Sequence, residues 1–140
     1  MTILTTHVGS LPRPKIVSDL LFSRENNEKY DQQQFDDIIT TSVEEVVKKQ
    51  SDLGISIISD GEMSKISYAT YVKDRYNGFA GDSERNPPQD LEKFPNYMKR
   101  IAASGGTPTY TRPCCVSEIS SKKNNDLKND IQNLLDASNK

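Results

Sequence analysis

Two short polar clusters follow runs of β-branched residues. Gly9-Ser10 follows Ile3-Leu4-Thr5-Thr6-His7-Val8, and Asp60-Gly61-Glu62 follows Ile55-Ser56-Ile57-Ile58-Ser59. If both runs are parallel strands, the clusters emerge together at the carboxyl-terminal edge of the sheet, the edge at which βα loops build ligand sites. Gly9 and Gly61 let backbone amides approach a ligand, Ser10 adds a hydroxyl, and Glu62 adds a carboxylate suited to an ammonium group. This is binding chemistry, and no residue is assigned a catalytic role. The same clusters also read as ordinary turns, because Gly, Ser and Asp dominate turns everywhere.

The remaining chemical candidates are fewer. His7 is the only histidine, and a lone His in an apolar strand reads first as a hydrogen-bonded structural residue. Cys114 and Cys115 are the only cysteines. Neighbours in a strand point to opposite faces, so they do not pair with each other, and adjacent thiols are not a zinc-ribbon spacing. They read as small apolar fillers of a buried strand. A zinc site from His7, Cys114 and Cys115 would need distant strands to converge. Arg112 reads as an anion contact or as a solvated strand-end charge. Tyr68, Tyr71 and Tyr76 read as pocket lining or as core.

The elements that must position these groups alternate between strand and helix. A strand over 3–8 ends at Gly9-Ser10. Pro14 opens a helix at the first-turn position that proline tolerates, with Ile16, Val17, Leu20 and Leu21 at helical spacing and Asn26-Asn27 as its break. The clearest element is a helix from Asp31 to Leu53. Phe35, Ile38, Ile39, Val43, Val46, Val47 and Leu53 form its apolar stripe. Glu44 and Lys48, and Glu45 and Lys49, are ordered favourably on its other side, and Gly54 is its cap. A compact strand, Ile55–Ser59, follows. Ser67–Tyr76 reads as helix, the long stretch Asn77–Thr109 as loop, Pro113–Val116 as a third strand and Asn124–Ala137 as a closing helix. Helix, glycine, buried strand and polar turn is the rhythm of a parallel α/β protein.

Bulk properties narrow the class. Eighteen basic and twenty acidic residues are interspersed, for a net charge of -2; with no basic stripe, nucleic acid is excluded as the natural partner. No apolar run approaches the ~20 residues of a membrane span, and the first residues lack the features of a signal peptide, so the cytoplasm is the expected compartment. Trp is absent and only four Phe are present, with a mean hydropathy of -0.71, so the core is expected to be thin. Three strands leave unpaired edges, which natural sheets avoid. The 140 residues therefore read as one incomplete α/β unit whose missing portion lies on the C-terminal side.

Thr6-His7-Val8-Gly9-Ser10-Leu11-Pro12-Arg13-Pro14 is similar to the opening of the catalytic barrel of the cobalamin-independent methionine synthase family. Gln50-Ser51-Asp52-Leu53-Gly54-Ile55, followed by Ser59-Asp60-Gly61-Glu62, resembles that family's next signature. Tyr76-Asn77-Gly78-Phe79 and Arg112-Pro113 fall in the same order. The resemblance implies a (β/α)₈ TIM barrel, which takes about 250 residues, with this chain as its N-terminal part over 1–140. It implies a methyltransferase that moves a methyl group from a folate to the thiol of homocysteine, with zinc binding that thiol as thiolate. Val8, Gly9 and Ser10 match the segment holding the amino-acid part of homocysteine or methionine, and Glu62 matches the carboxylate gripping its ammonium. The family's zinc ligands, a His, two Cys and a Glu, lie in the second half of the barrel, so no residue here inherits a metal role. Its folate-contacting Arg-Cys pair would fall at Thr109-Tyr110, which do not match.

Two alternatives stand beside this reading. One is a related barrel acting on another thiol, such as coenzyme M, or on a corrinoid-linked donor. The other is a non-catalytic short chain or subunit, completed by a C-terminal half-barrel or by self-association.

Overall fold

In the computed structural model, which describes residues 3–83, 89–103 and 112–140, seven elements follow one another. They are α1 (Lys15–Glu25), α2 (Gln32–Asp52), α3 (Tyr68–Arg75), β1 (Tyr76–Ala80), α4 (Pro95–Ala103), β2 (Cys114–Ser121) and α5 (Asp126–Ser138). The architecture is mixed α/β, with a helical core and a small two-stranded sheet.

The core forms around α2. Asp31 stands in extended backbone and accepts the Gln34 N–H at 2.8 Å, satisfying one of the donors that a helix start leaves unpaired. Phe35, Ile39, Val43 and Val47 are buried, with Ile38 and Val46 packed beside them, as the spacing predicts. Leu53 departs from the stripe: it is the cap residue beyond the last turn and is 71% exposed. Gly54 takes φ 74°, the left-handed step that ends the helix. The charged side pairs differently from the predicted order, Lys48 reaching Asp52 at 2.8 Å and Glu44 taking Lys140.

Val17 and Leu21 of α1, Met63 from a loop and Ala137 of α5 complete the buried cluster. Pro14 precedes α1 as its cap instead of entering the first turn, and Asn27 at φ 56° closes the helix. α3 begins with a reciprocal Ser67–Thr70 capping box. Lys73 ties it to Glu25 at 2.9 Å, and Arg75 ties it to Asp130 of α5 at 2.6 Å.

The strand expectations need correction. The stretches 3–8 and 55–59 do run in parallel, but they meet at a single bridge, Thr6 with Ile57. Their side chains compete with the ladder. Thr6 Oγ1 donates to the Ile57 carbonyl at 2.9 Å, the Ser56 N–H donates to Thr5 Oγ1, and the Thr5 N–H donates to Ser56 Oγ. Short hydroxyl side chains offer the backbone partners that a sheet would otherwise supply.

The third strand exists but is longer and pairs antiparallel, β2 against β1. α4 and all of β1 but Tyr76, which was expected at the end of a helix, lie in the stretch read as loop. Gly78 is required in β1, because a Cβ there would lie 2.7 Å from the Glu118 carbonyl oxygen. β2 is exposed along its whole length, so Cys114 and Cys115 are exposed thiols and not buried fillers. No helix among the described residues is long and apolar enough to cross a membrane.

Candidate functional site

The site begins with a buried amide. Gln50, only 4% exposed on the last turn of α2, turns its side chain onto the backbone of Ser59. Its Nε2 donates to the Ser59 carbonyl at 2.8 Å, and its Oε1 accepts the Ser59 N–H at 3.1 Å. A glutamine amide carries donor and acceptor in the spacing of a peptide group, so it gives Ser59 the partners that the single Thr6–Ile57 bridge does not supply. The segment is thereby fixed to α2 one residue before the polar turn.

The turn itself is a run of left-handed backbone. Gly61 takes φ 63° and Glu62 φ 57°; the second value is uncommon for a residue with a side chain. Asp60 supports it by accepting the Glu62 N–H at 2.9 Å. Leu11 N–H donates to the Gly61 carbonyl at 3.0 Å, stitching the first cluster to the second. A Cβ on Gly61 would lie 3.1 Å from both Leu11 Cβ and Met63 Cε, so this contact admits glycine and little else.

Glu62 then receives two hydroxyls. Ser10 Oγ donates to Oε2 at 2.7 Å, and Tyr68 Oη donates to Oε1 at 3.0 Å. Partial burial pushes the Glu62 pKa up, but the Ser10 and Tyr68 hydrogen bonds and the charges of Lys65 and Arg13 outweigh it, leaving the carboxyl below its ordinary value. The carboxylate is therefore ionised at neutral pH. The same contact raises the Tyr68 hydroxyl pKa, through its hydrogen bond to Glu62 and that residue's charge. An ionised carboxylate accepts about four hydrogen bonds, so capacity remains for a cationic ligand.

Ser10 and Glu62, 52 residues apart in the chain, are thus brought together. Gly9, at φ 87°, and Val8, 87% exposed, lead into Ser10 along an open stretch. Of the three tyrosines only Tyr68 reaches Glu62. Tyr71 takes two cation–π contacts, with Arg75 3.5 Å and Lys65 4.8 Å from its ring centre, and Tyr76 pairs with Ser121 in the sheet. The backbone N–H of Arg112 donates to Asp82 Oδ1 at 2.8 Å. His7 is half-buried, and its Nε2 finds no hydrogen-bond partner among the described residues. Thr109 and Tyr110 lie outside the described residues.

The sequence reading missed two contributors. Gln50 and Arg13 each stand within one of the two family-like motifs, and local spacing gives neither a role at the site. The signal for Gln50 was a polar residue on the apolar stripe of α2, where a buried amide demands partners. A cavity of about 270 Å³ between α2 and α5, lined by Arg24, Asp36, Ser64, Arg75 and Asp130 among others, includes none of the site residues. Among the described residues, no three His, Cys, Asp or Glu side chains gather to hold a metal ion. The described residues therefore do not fit a zinc centre, whether from His7 with the two cysteines or otherwise.

Taken together, the geometry defines an α/β protein that holds an ionised carboxylate between a glycine turn and a serine hydroxyl. Residues 3–86, which include both clusters, match the family described as cobalamin-independent synthase, catalytic domain. The chain belongs to this family, whose members are methyltransferases of methionine synthesis. Among curated proteins, none matches it.

Proposed function

We propose that the chain binds the amino-acid end of homocysteine for methyl transfer to its thiol, with Glu62 accepting from the substrate ammonium. Val8, Gly9 and Ser10 line the same end of the ligand in this reading. One observation carries it: Glu62 is held ionised, in strained backbone, by the Ser10 and Tyr68 hydroxyls. Backbone strain of this kind persists where the surroundings over-determine it, and such residues cluster at ligand clamps.

The site sits in the opening part, residues 1–140, of a (β/α)₈ barrel. The parallel Thr6–Ile57 bridge, with α1 and α2 between its two segments, supports that placement. In the family, zinc supplies a thiolate-stabilising charge and folate supplies the methyl group; the described residues of this chain supply the grip on the amino acid.

The test is calorimetric titration of homocysteine into the wild-type chain and its variants. Glu62→Gln is expected to weaken binding by about 1.5–3 kcal/mol, the scale of a hydrogen bond to a charged group, and Ser10→Ala by less. Equal affinity of the wild type and Glu62→Gln contradicts the assignment.

A further inference from the structure

We propose that Arg13 is the positioning residue of this site: its guanidinium fixes the Glu62 turn and so sets the direction of the carboxylate. The inference rests on the reading of Glu62 as the ammonium acceptor. Arg13 lies two residues after Leu11, on the segment stitched to Gly61, and is half-buried. Its Nε and Nη2 both donate to the Glu62 carbonyl, at 3.2 and 3.0 Å. The same Nη2 donates to the Lys65 carbonyl at 2.7 Å and reaches Ser10 Oγ at 3.4 Å.

One planar group thus joins the Glu62 and Lys65 carbonyls and touches the hydroxyl that holds the carboxylate. A residue in left-handed backbone needs such external restraint, because its own conformational preference opposes it. Burial lowers the Arg13 pKa while Glu62 and Asp60 raise it, and guanidinium remains charged throughout the physiological range. The charged and titratable groups facing Glu62 are Arg13 from the N-terminal segment, Asp60 and Lys65 from the turn, and Tyr68 from α3.

Lysine would keep the charge and lose the fork, so the two contributions separate. The loss of direction should appear as lost discrimination for the ligand's amine. A merely structural residue would lower stability without that signature.

The experiment uses the full chain as wild type, Arg13→Met and Arg13→Lys, with circular dichroism to verify folding. Binding of homocysteine is compared with 4-sulfanylbutanoic acid, the same thiol acid without the amine. In parallel, the ¹³C resonance of the Glu62 carboxyl is titrated with pH. In Arg13→Met the preference for homocysteine should fall about tenfold, on the scale of one charged hydrogen bond. Affinity for the amine-free acid should be unchanged, and the Glu62 titration should move up. Arg13→Lys should restore the titration more fully than the preference, and it carries the test if Arg13→Met does not fold. An unchanged preference and titration in a folded variant overturn the role of Arg13. A wild type without preference for the amine overturns the homocysteine reading instead, and the titration alone then decides the role of Arg13.

Discussion

Glu62 combines two properties that rarely coincide, a left-handed backbone at φ 57° and an ionised carboxylate capped by two hydroxyls. Its lowered pKa has a signed consequence. A carboxyl that is harder to protonate when folded stabilises the fold at pH values above the ordinary glutamate pKa. It loses that contribution as pH falls through the lower folded value. Urea midpoints of the wild type and Glu62→Gln should therefore converge on acidification below the ordinary glutamate range; a difference independent of pH contradicts the shift. Gly61→Ala meets both a positive φ and a contact at 3.1 Å, and should cost about 1–3 kcal/mol in urea unfolding. An unchanged midpoint would mean that the turn is not held as described. At this scale the sequence made Ser10 and Glu62 legible, because strand-end Gly-Ser and Gly-Glu pairs are local patterns. The two-hydroxyl cap was not legible: Tyr68 reads equally as core or pocket until α3 is placed.

Helices were far more legible than strands. α2 is encoded by a long apolar stripe and a cap at each end, and such redundancy survives any one misjudged position, including Leu53. The segments 3–8 and 55–59 carry the right residues for strands, yet Thr5, Thr6 and Ser56 divert their backbone bonds to hydroxyls. β1 is five residues long with a central glycine, and its pairing with β2 is set by chain far away in sequence, which no local pattern announces. Gln50 supplies the restraint that the missing ladder would have given. Gln50→Leu keeps the volume but leaves the half-buried Ser59 N–H and carbonyl without their partners, at a cost of about 1 kcal/mol, the lower end of the scale for an unsatisfied buried group. Hydrogen exchange should show Ser59 losing protection ahead of the α2 interior. Retained protection at Ser59 would assign the restraint to another contact.

Over the whole molecule, the accessible surface is 10236 Å², against about 7,300 Å² for a compact monomer of its mass. Large apolar side chains contribute to that surface. Ile3, Leu4, Val8, Leu53 and Ile57 stand exposed around the parallel bridge, and Leu127, Ile131 and Leu135 are half-exposed along α5. The thin core anticipated from composition is what the fold shows, a cluster centred on α2 with few aromatic members. A chain with this surface should bind a hydrophobic dye such as ANS while keeping its helical circular dichroism; a dye-silent protein contradicts the exposed surface. The most direct test of the central claim is amide NMR of the uniformly ¹⁵N-labelled chain titrated with homocysteine. The account predicts shifts concentrated at Gly9, Ser10, Gly61, Glu62 and Lys65. Saturating homocysteine that leaves those amides unmoved, or that shifts only residues lining the α2–α5 cavity, would contradict it.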